Sequence, residues 1–418
     1  MLTSKSPAVS GLLIAAAAFF HGSTLSAAPK VSPPATQDLA EVDSDFRYQG
    51  EYMGYLPGAG KVGLQIVARG QQNFDVVLYG GGLPGDGWDE EEPQRAQTVL
   101  EDGVVAAEVG DLNVSVARNQ ASFSDEDGRS LGVLRKYDRR SATIGLPAPS
   151  DAIVLFNGQE NDHWKNMTVT ENGLLEEGCE TVDAFGDFTL HLEFRLPYKP
   201  LGTSQDRGNS GVYLQRRYEV QVLDSFGDPL AFNHCGAIYR VKAPERNMCL
   251  PPLSWQTYDI KFRAARFDDE GNKTDNMKIT VKQNGIVIHD AVEITTKTGA
   301  GKPEGPEPMT ILLQDHGNPV RYRNIWLKEG DPFTGSEETM PSPEAYADAH
   351  SQSYDSYGYG GTSYGYGYGG YYAPKSYYGP YTIDWMPYTW SYRMAPLAPP
   401  APYYMHLNHD LPPYPYNW

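Results

Sequence analysis

The sequence predicts an all-β chain whose largest part is a two-sheet antiparallel sandwich or jelly roll. Three observations carry that expectation. Period-two alternation of apolar and polar residues recurs from residue 152 to about 330, as in sheets with one face on a core and one face wet. Gly (43) and Pro (32) are abundant among the 418 residues and aromatics reach 12 %, which favours short strands and turns over a long helical bundle. Beyond the amino terminus no segment has the apolar length of a transmembrane helix.

The elements follow in order. Residues 1–28 read as a signal peptide: LLIAAAAFF (12–20) is too short to span a bilayer, Lys5 precedes it, and small residues around Ala27 and Ala28 suit cleavage. A secreted or periplasmic location follows from that reading. Residues 29–44 form a polar, Pro-containing linker. Residues 45–145 read as a small antiparallel β-domain of unassigned role, from GLQIVAR (63–69), NFDVVLYG (73–80), GVVAAEVG (103–110), LNVSVAR (112–118) and GVLRKY (132–137). LPAPSD (146–151) reads as an interdomain linker.

Within residues 152–330, DFTLHLEFRL places Phe188, Leu190, Leu192, Phe194 and Leu196 on one face and Asp187, Thr189, His191, Glu193 and Arg195 on the other. YEVQVLD sets Tyr218, Val220 and Val222 against Glu219 and Gln221. MKITVKQNGIVIHD (277–290) predicts a hairpin turning at Asn284–Gly285. Residues 331–418 hold 18 of the 29 tyrosines, 13 of the 32 prolines and only two basic residues, Lys375 and Arg393. Such a low-complexity tail should be disordered, a solvated tail or one whose tyrosines serve weak surface or self-association or stack on sugars.

Charge and motifs exclude several functions. Lys plus Arg is 34 against 53 Asp plus Glu, a formal net charge of −19, which repels phosphate backbones and argues against nucleic acid as a partner. No phosphate loop, dinucleotide fingerprint or Ser-centred nucleophile motif occurs. The cysteines, Cys179, Cys235 and Cys249, lack zinc-site spacing. With export permitting a disulfide, Cys235 and Cys249 are the expected pair because they are close in sequence and flank the strand-like GAIYRV; Cys179 is left as a buried thiol.

Three stretches are more specific than a generic sandwich: LFNGQENDHW (155–164), GNSGVYLQRRYEVQVLDSFG (208–227) and ILLQDHGNPVRYRNIWLKEG (311–330). With CGAIYR (235–240) and PPLSWQTYDIKFRAARFDDEG (251–271) between them, they resemble the 3-keto-disaccharide hydrolase family, also described as 3-keto-glucoside lyases and 2-hydroxy-glucal hydratases. The resemblance covers nearly all of residues 152–330 and neither flank. It implies a concanavalin-like jelly roll and an enzyme acting on 3-keto-glycosides. A ketone at C3 acidifies the C2 hydrogen, so a base can remove it, the C1 substituent is eliminated, and hydration completes a net hydrolysis. A separate sugar oxidoreductase would have to supply the ketone. A divalent metal ion would suit the enolate oxygen, but no residue pattern establishes one.

Such chemistry needs a base of suitable pKa and a group at the developing oxyanion. The polar members of the alternating strands are the candidates. Glu219 or His316 is the expected base and Glu193 the second carboxylate. Arg195 is expected at the oxyanion or orienting a carboxylate, with Gln221, Gln314 and Asn209 on sugar hydroxyls. Four of them have a plainer reading: Glu193 and Arg195 suit a surface ion pair, while His316 and Asn209 suit turns. Two other functions fit the same chain, a non-catalytic lectin and an envelope adhesion protein using the tail.

Overall fold

A computed structural model describes residues 34–334 apart from Arg118. The expected signal peptide and all but the first four residues of the Tyr-rich tail lie outside them.

The amino-terminal β-domain is a closed barrel of eight antiparallel strands, each paired with its sequence neighbour. They are β1 (Gly50–Leu56), β2 (Gly60–Gly70), β3 (Asn73–Gly80), β4 (Gln94–Glu101), β5 (Val104–Val109), β6 (Leu112–Ala117), β7 (Gln120–Ser124) and β8 (Ser130–Tyr137), with β8 closing on β1. The sequence did not mark β1, β4 and β7: β1 is Gly-interrupted, β7 is short, and β4 sets only Ala96 and Leu100 against the barrel core. Tyr52, Leu64, Ile66, Phe74, Val76, Val116, Phe123 and Leu134 fill the interior, as expected where eight strands enclose little more than side-chain volume.

The second domain is a sandwich. Its strands are β9 (Ile153–Phe156), β10 (Trp164–Lys165), β11 (Leu175–Glu176), β12 (Glu180–Thr181), β13 (Phe188–Arg195), β14 (Ser210–Leu214), β15 (Tyr218–Val222), β16 (Trp255–Arg263), β17 (Arg266–Phe267), β18 (Lys273–Asp275), β19 (Met277–Gln283), β20 (Ile286–Ile294), β21 (Leu312–Leu313) and β22 (Arg321–Glu329). One sheet runs β10-β12-β21-β14-β15; the other runs β11-β22-β13-β16-β19-β20 with β9 on β22, and β17–β18 form a separate ribbon. The alternation holds: Leu190, Leu192 and Phe194 meet Val212, Leu214, Val220 and Val222 in a single core. Burying each such side chain is worth about 1.5–3 kcal/mol. The hairpin falls where expected, with Gln283 opposite Ile286 and positive φ at Asn284 and Gly285.

The barrel docks on the sandwich through β2. Leu64, Ile66 and Ala68 point into the barrel while Val67 joins the sandwich core, so β2 is buried on both faces. Arg69 pairs with Asp228 at 2.5 Å, Arg95 donates to the Gly227 carbonyl, and Arg207, ion-paired with Asp224 at 2.7 Å, donates to the Ala68 carbonyl. Asp224 thus belongs to the domain junction. The amino-terminal linker also packs: Thr36 bridges to Tyr198, and Gln37 donates to the carbonyls of Arg195 and Pro319.

The expected Cys235–Cys249 disulfide is not present. All three cysteines are free and buried. Cys235 and Cys249 are nevertheless neighbours in the core, each with its own polar partners: Tyr258 and Gln283 at Cys235, and the Leu223 and Leu250 carbonyls at Cys249. GAIYRV is not a strand. It bridges β15 only at Ile238–Val220, and its residues lie as a loop along the free edge of β15.

Candidate functional site

The polar face of the five-stranded sheet gathers one set of candidates. In β14 and β15, Tyr213 stands opposite Glu219 and Gly211 opposite Gln221. Gln314 extends the second row, since its main-chain N–H donates to the Gly211 carbonyl at 2.8 Å. Gly211 leaves room here: a β-carbon on it would crowd Oε1 of Glu219 and push the carboxyl from its place. The bare glycine lets the Glu219 carboxyl lie over the sheet between the rows.

Loops roof this floor. β15 is an edge strand, and the main chain of Glu219 is held by loops on that edge: its N–H donates to Thr298 Oγ1 at 2.8 Å, and its carbonyl accepts from Tyr239 N–H at 3.0 Å. Gly299 places Tyr239 and Glu219 Oε2 side by side, a β-carbon there falling 2.8 Å from the Tyr239 ring and 3.7 Å from Oε2. From another loop, Gln205 accepts from or faces the amides of Asn209 and Gln221. In the amide orientation that satisfies both its ends, Gln221 donates to the Ser210 carbonyl (2.8 Å) and to Oε1 of Glu219 (3.2 Å).

Glu219 is 2 % exposed, and its Oε2 is buried with no hydrogen-bond partner. Burial pushes this carboxyl from its ordinary 4.5 up to about 7, while the Tyr213 hydroxyl opposes the rise. Burial also raises Tyr213, as does Glu219 beside it. A carboxyl that titrates near neutrality with one free oxygen is suited to take and return a proton.

Glu193 and Arg195 go elsewhere. They project from the outer face of the seven-stranded sheet, which residues 141–146 cover. Glu193 Oε1 accepts from Gly145 N–H at 2.5 Å and Asn324 Nδ2 at 2.9 Å, and Oε2 accepts from Arg323 at 2.6 Å. Burial would raise Glu193, but His191, Arg323 and Asn324 outweigh it and hold the carboxyl below its usual range. His191 lies between Asp259 at 2.6 Å and Glu193 at 3.8 Å. Burial works against its charge, yet these carboxylates lift it to about 9. Arg195 donates to Gln37 and lies over the Trp255 ring. The structure therefore does not bring the expected second carboxylate, or Arg195, to Glu219; both brace the interdomain segments against the sheet.

His316 sits exposed in the turn after Gln314, where Asp315 accepts from Gly317 N–H and the His316 carbonyl accepts from Asn318. It has the turn role rather than enclosure beside Glu219. Asn209 is buried and donates to the Gln205 carbonyl at 2.8 Å, within the site. Sequence reasoning missed Tyr213, Tyr239, Gln205 and Gly211. The same parity that exposed Glu219 would have found Gly211 and Tyr213; Tyr239 and Gln205 come from loops and left no periodic trace.

Among the described residues no group of three or more His, Cys, Asp and Glu side chains is placed to hold a metal ion, and the donor set at Glu219 is one carboxyl with side-chain amides. A hollow of about 480 Å³ on the barrel wall is lined by Ala106, Glu108, Asn113, Ser115 and Ser122 among others; with one carboxylate and no imidazole, thiol or amine it offers no catalytic set. No helix among the described residues is long and apolar enough to cross a membrane.

Residues 151–328 match the family described as the 3-keto-alpha-glucoside-1,2-lyase-like domain. A Parabacteroides distasonis protein, provisionally named a glycosyl hydrolase, is 35 % identical over 44 % of this chain and 85 % of its own, with a TM-score of 0.41. A second from the same organism, named in the same provisional way, is 22 % identical over 43 % of this chain and 99 % of its own, TM-score 0.31. No curated protein matches the chain. Through residues 151–328 the chain belongs to this carbohydrate-active family.

Proposed function

We propose that the sandwich domain cleaves 3-keto-glycosides by elimination at C1, with Glu219 as the base. The observation that carries this reading is the Glu219 carboxyl, raised to about 7 by burial with Oε2 unpartnered on the polar floor of the sheet.

The chemistry asks for one proton moved at moderate cost. Glu219 in its ionised form takes the C2 hydrogen, and the C–H electron pair becomes the enolate conjugated with the C3 oxygen. That pair then forms the C1–C2 double bond as the C1–O bond breaks, and the departing oxygen carries off the C1–O electrons. Addition of water, its oxygen to C1 and a proton to C2, leaves the 3-keto sugar and the free aglycone. The Gln314 amide, and those of Gln221 and Asn209 once they exchange their contacts with Ser210, Glu219 and Gln205 for substrate, are the donors for the developing oxyanion, a role that site hydrogen-bond donors fill elsewhere. A base with a pKa near the working pH combines availability with driving force, which an ordinary glutamate would not.

The test is incubation of the full chain with 3-keto-trehalose or 3-keto-sucrose, with products followed by mass spectrometry. Aglycone release that rises with pH through about 7 and is lost in Glu219→Gln supports the reading. Full turnover by Glu219→Gln would refute it. Glycan binding without turnover would favour the lectin alternative.

A further inference from the structure

We infer that the leaving group is aromatic and that Phe232, with Leu230 and Val241 beside it, forms the subsite that receives it; this rests on Glu219 being the base. The first support is where apolar surface is left open. Ten large apolar side chains are exposed among the described residues, and four of them, Leu201, Leu230, Phe232 and Val241 at 43–48 %, lie on the two loops that supply Gln205 and Tyr239 to the site. The other six are scattered over the amino-terminal segment, the barrel and the far strands of the sandwich. Single exposed apolar residues need no explanation, but a concentration beside a polar site marks a binding surface.

These residues are fixed in place. The Phe232 carbonyl accepts from Arg240 N–H at 2.7 Å, next to Tyr239, and the adjoining Asn233 carbonyl accepts from Gln205 Nε2 at 2.9 Å. Residues 232–233 therefore span the two loops that roof Glu219 and Gln221. The His234 ring is held by the Pro229 carbonyl at 2.9 Å, which closes the turn carrying Leu230 and Phe232. A half-exposed phenyl ring at that point offers a face for stacking.

The second support is the acid–base content of the site. Glu219 is the carboxyl beside Tyr213 and Gln221: Glu180, on the same face but two strands beyond Tyr213, is held by Arg216 at 3.3 Å and by Thr310, and Glu193 is committed to Arg323 and Asn324 on the other sheet. The hydroxyl bonded to the Glu219 carboxyl, that of Tyr213, is made a weaker acid by its burial. In the elimination step the C1–O pair leaves with the aglycone oxygen. A phenoxide, conjugate to an acid of pKa about 10, departs without a proton from the protein, whereas a simple alkoxide requires one. One carboxyl used as base, no second carboxyl beside it among the described residues and an aromatic rim fit an aryl 3-keto-glycoside.

The experiment compares phenyl and methyl 3-keto-α-glucosides, with unoxidised phenyl α-glucoside as a third ligand. Affinities are measured on the full chain carrying Glu219→Gln, alone and combined with Phe232→Ala, and turnover is measured on the Glu219 protein. The expected result is phenyl binding at least tenfold tighter than methyl, with most of that ratio lost in Phe232→Ala at an unchanged melting temperature. Equal affinities, or a phenyl preference that survives Phe232→Ala, would overturn the subsite even if Glu219-dependent turnover is found. Turnover that ignores Glu219 would overturn the base assignment instead. Failure of both phenyl ligands to bind would overturn the subsite whatever the turnover.

Discussion

Glu193 and Glu219 carry the same signal in the sequence, each a glutamate on the polar side of an alternating strand, and the fold gives them opposite fates. Glu193 is closed over by residues 141–146 and saturated by Arg323, Asn324 and the Gly145 N–H, so its carboxyl is held low. Glu219 is buried to the same degree but meets tyrosines, amides and a bare glycine, so nothing cationic compensates its desolvation and its carboxyl rises to about 7. Burial is common to both; what differs is the company, and that decides whether a carboxyl is held ionised as a brace or left to titrate near neutrality.

The comparison can be broken from either side. Glu219→Gln should lower turnover of a 3-keto-glycoside by roughly 10²–10⁴-fold, the usual worth of a general base, as measured by steady-state kinetics on protein of native melting temperature. Glu193→Ala should do the reverse, costing about 3–5 kcal/mol of stability because it strands the Arg323 and His191 charges. Urea denaturation would measure that loss, and the folded fraction should keep its specific activity. A Glu193→Ala protein with native stability but no activity would erase the distinction.

The pH dependence sharpens it. Because the folded-state value of Glu219 is raised, folding opposes its ionisation. Its contribution is complete below its ordinary 4.5 and is lost as pH climbs through about 7, a decline of about 3 kcal/mol for a shift of this size. Glu219→Gln should therefore be more stable than the parent at pH 8 and similar at pH 4, a crossing visible in thermal melts. Glu193, held low, works in the opposite direction: its stabilisation is present above its ordinary 4.5 and lost on acidification, so Glu193→Gln should flatten the acid limb. The smallest effect is expected at His316. Its ring is exposed in a turn, and His316→Ala should change kcat/KM by no more than about threefold.

Much of this was legible in advance. The alternation in DFTLHLEFRL and YEVQVLD assigns each side chain to a face correctly, because the two-residue period of a strand is a property of the backbone. Asn284–Gly285 marks its hairpin because both positions adopt positive φ. The closed barrel was legible only as strands: in β2 the consecutive apolar residues Ile66, Val67 and Ala68 break the alternation, since Val67 serves the sandwich core while Ile66 and Ala68 serve the barrel. The expected disulfide misjudged two thiols that are close in space yet separately satisfied by Tyr258, Gln283 and main-chain carbonyls.

By itself the sequence determined the all-β class, the faces of the strands and the short set of polar residues from which a site can be drawn. Only the tertiary structure decided which of them meet. Glu219, Gln221, Asn209 and Gln314 come together on one sheet, while Glu193 and Arg195 lie on the other beneath residues from the barrel's exit and the amino-terminal linker. The reason is physical. Which face a side chain takes is settled within a few residues of chain, but which sheet a strand joins and which loops cover it depend on contacts from about 20 to more than a hundred residues apart. The pKa of a carboxyl is set by those contacts.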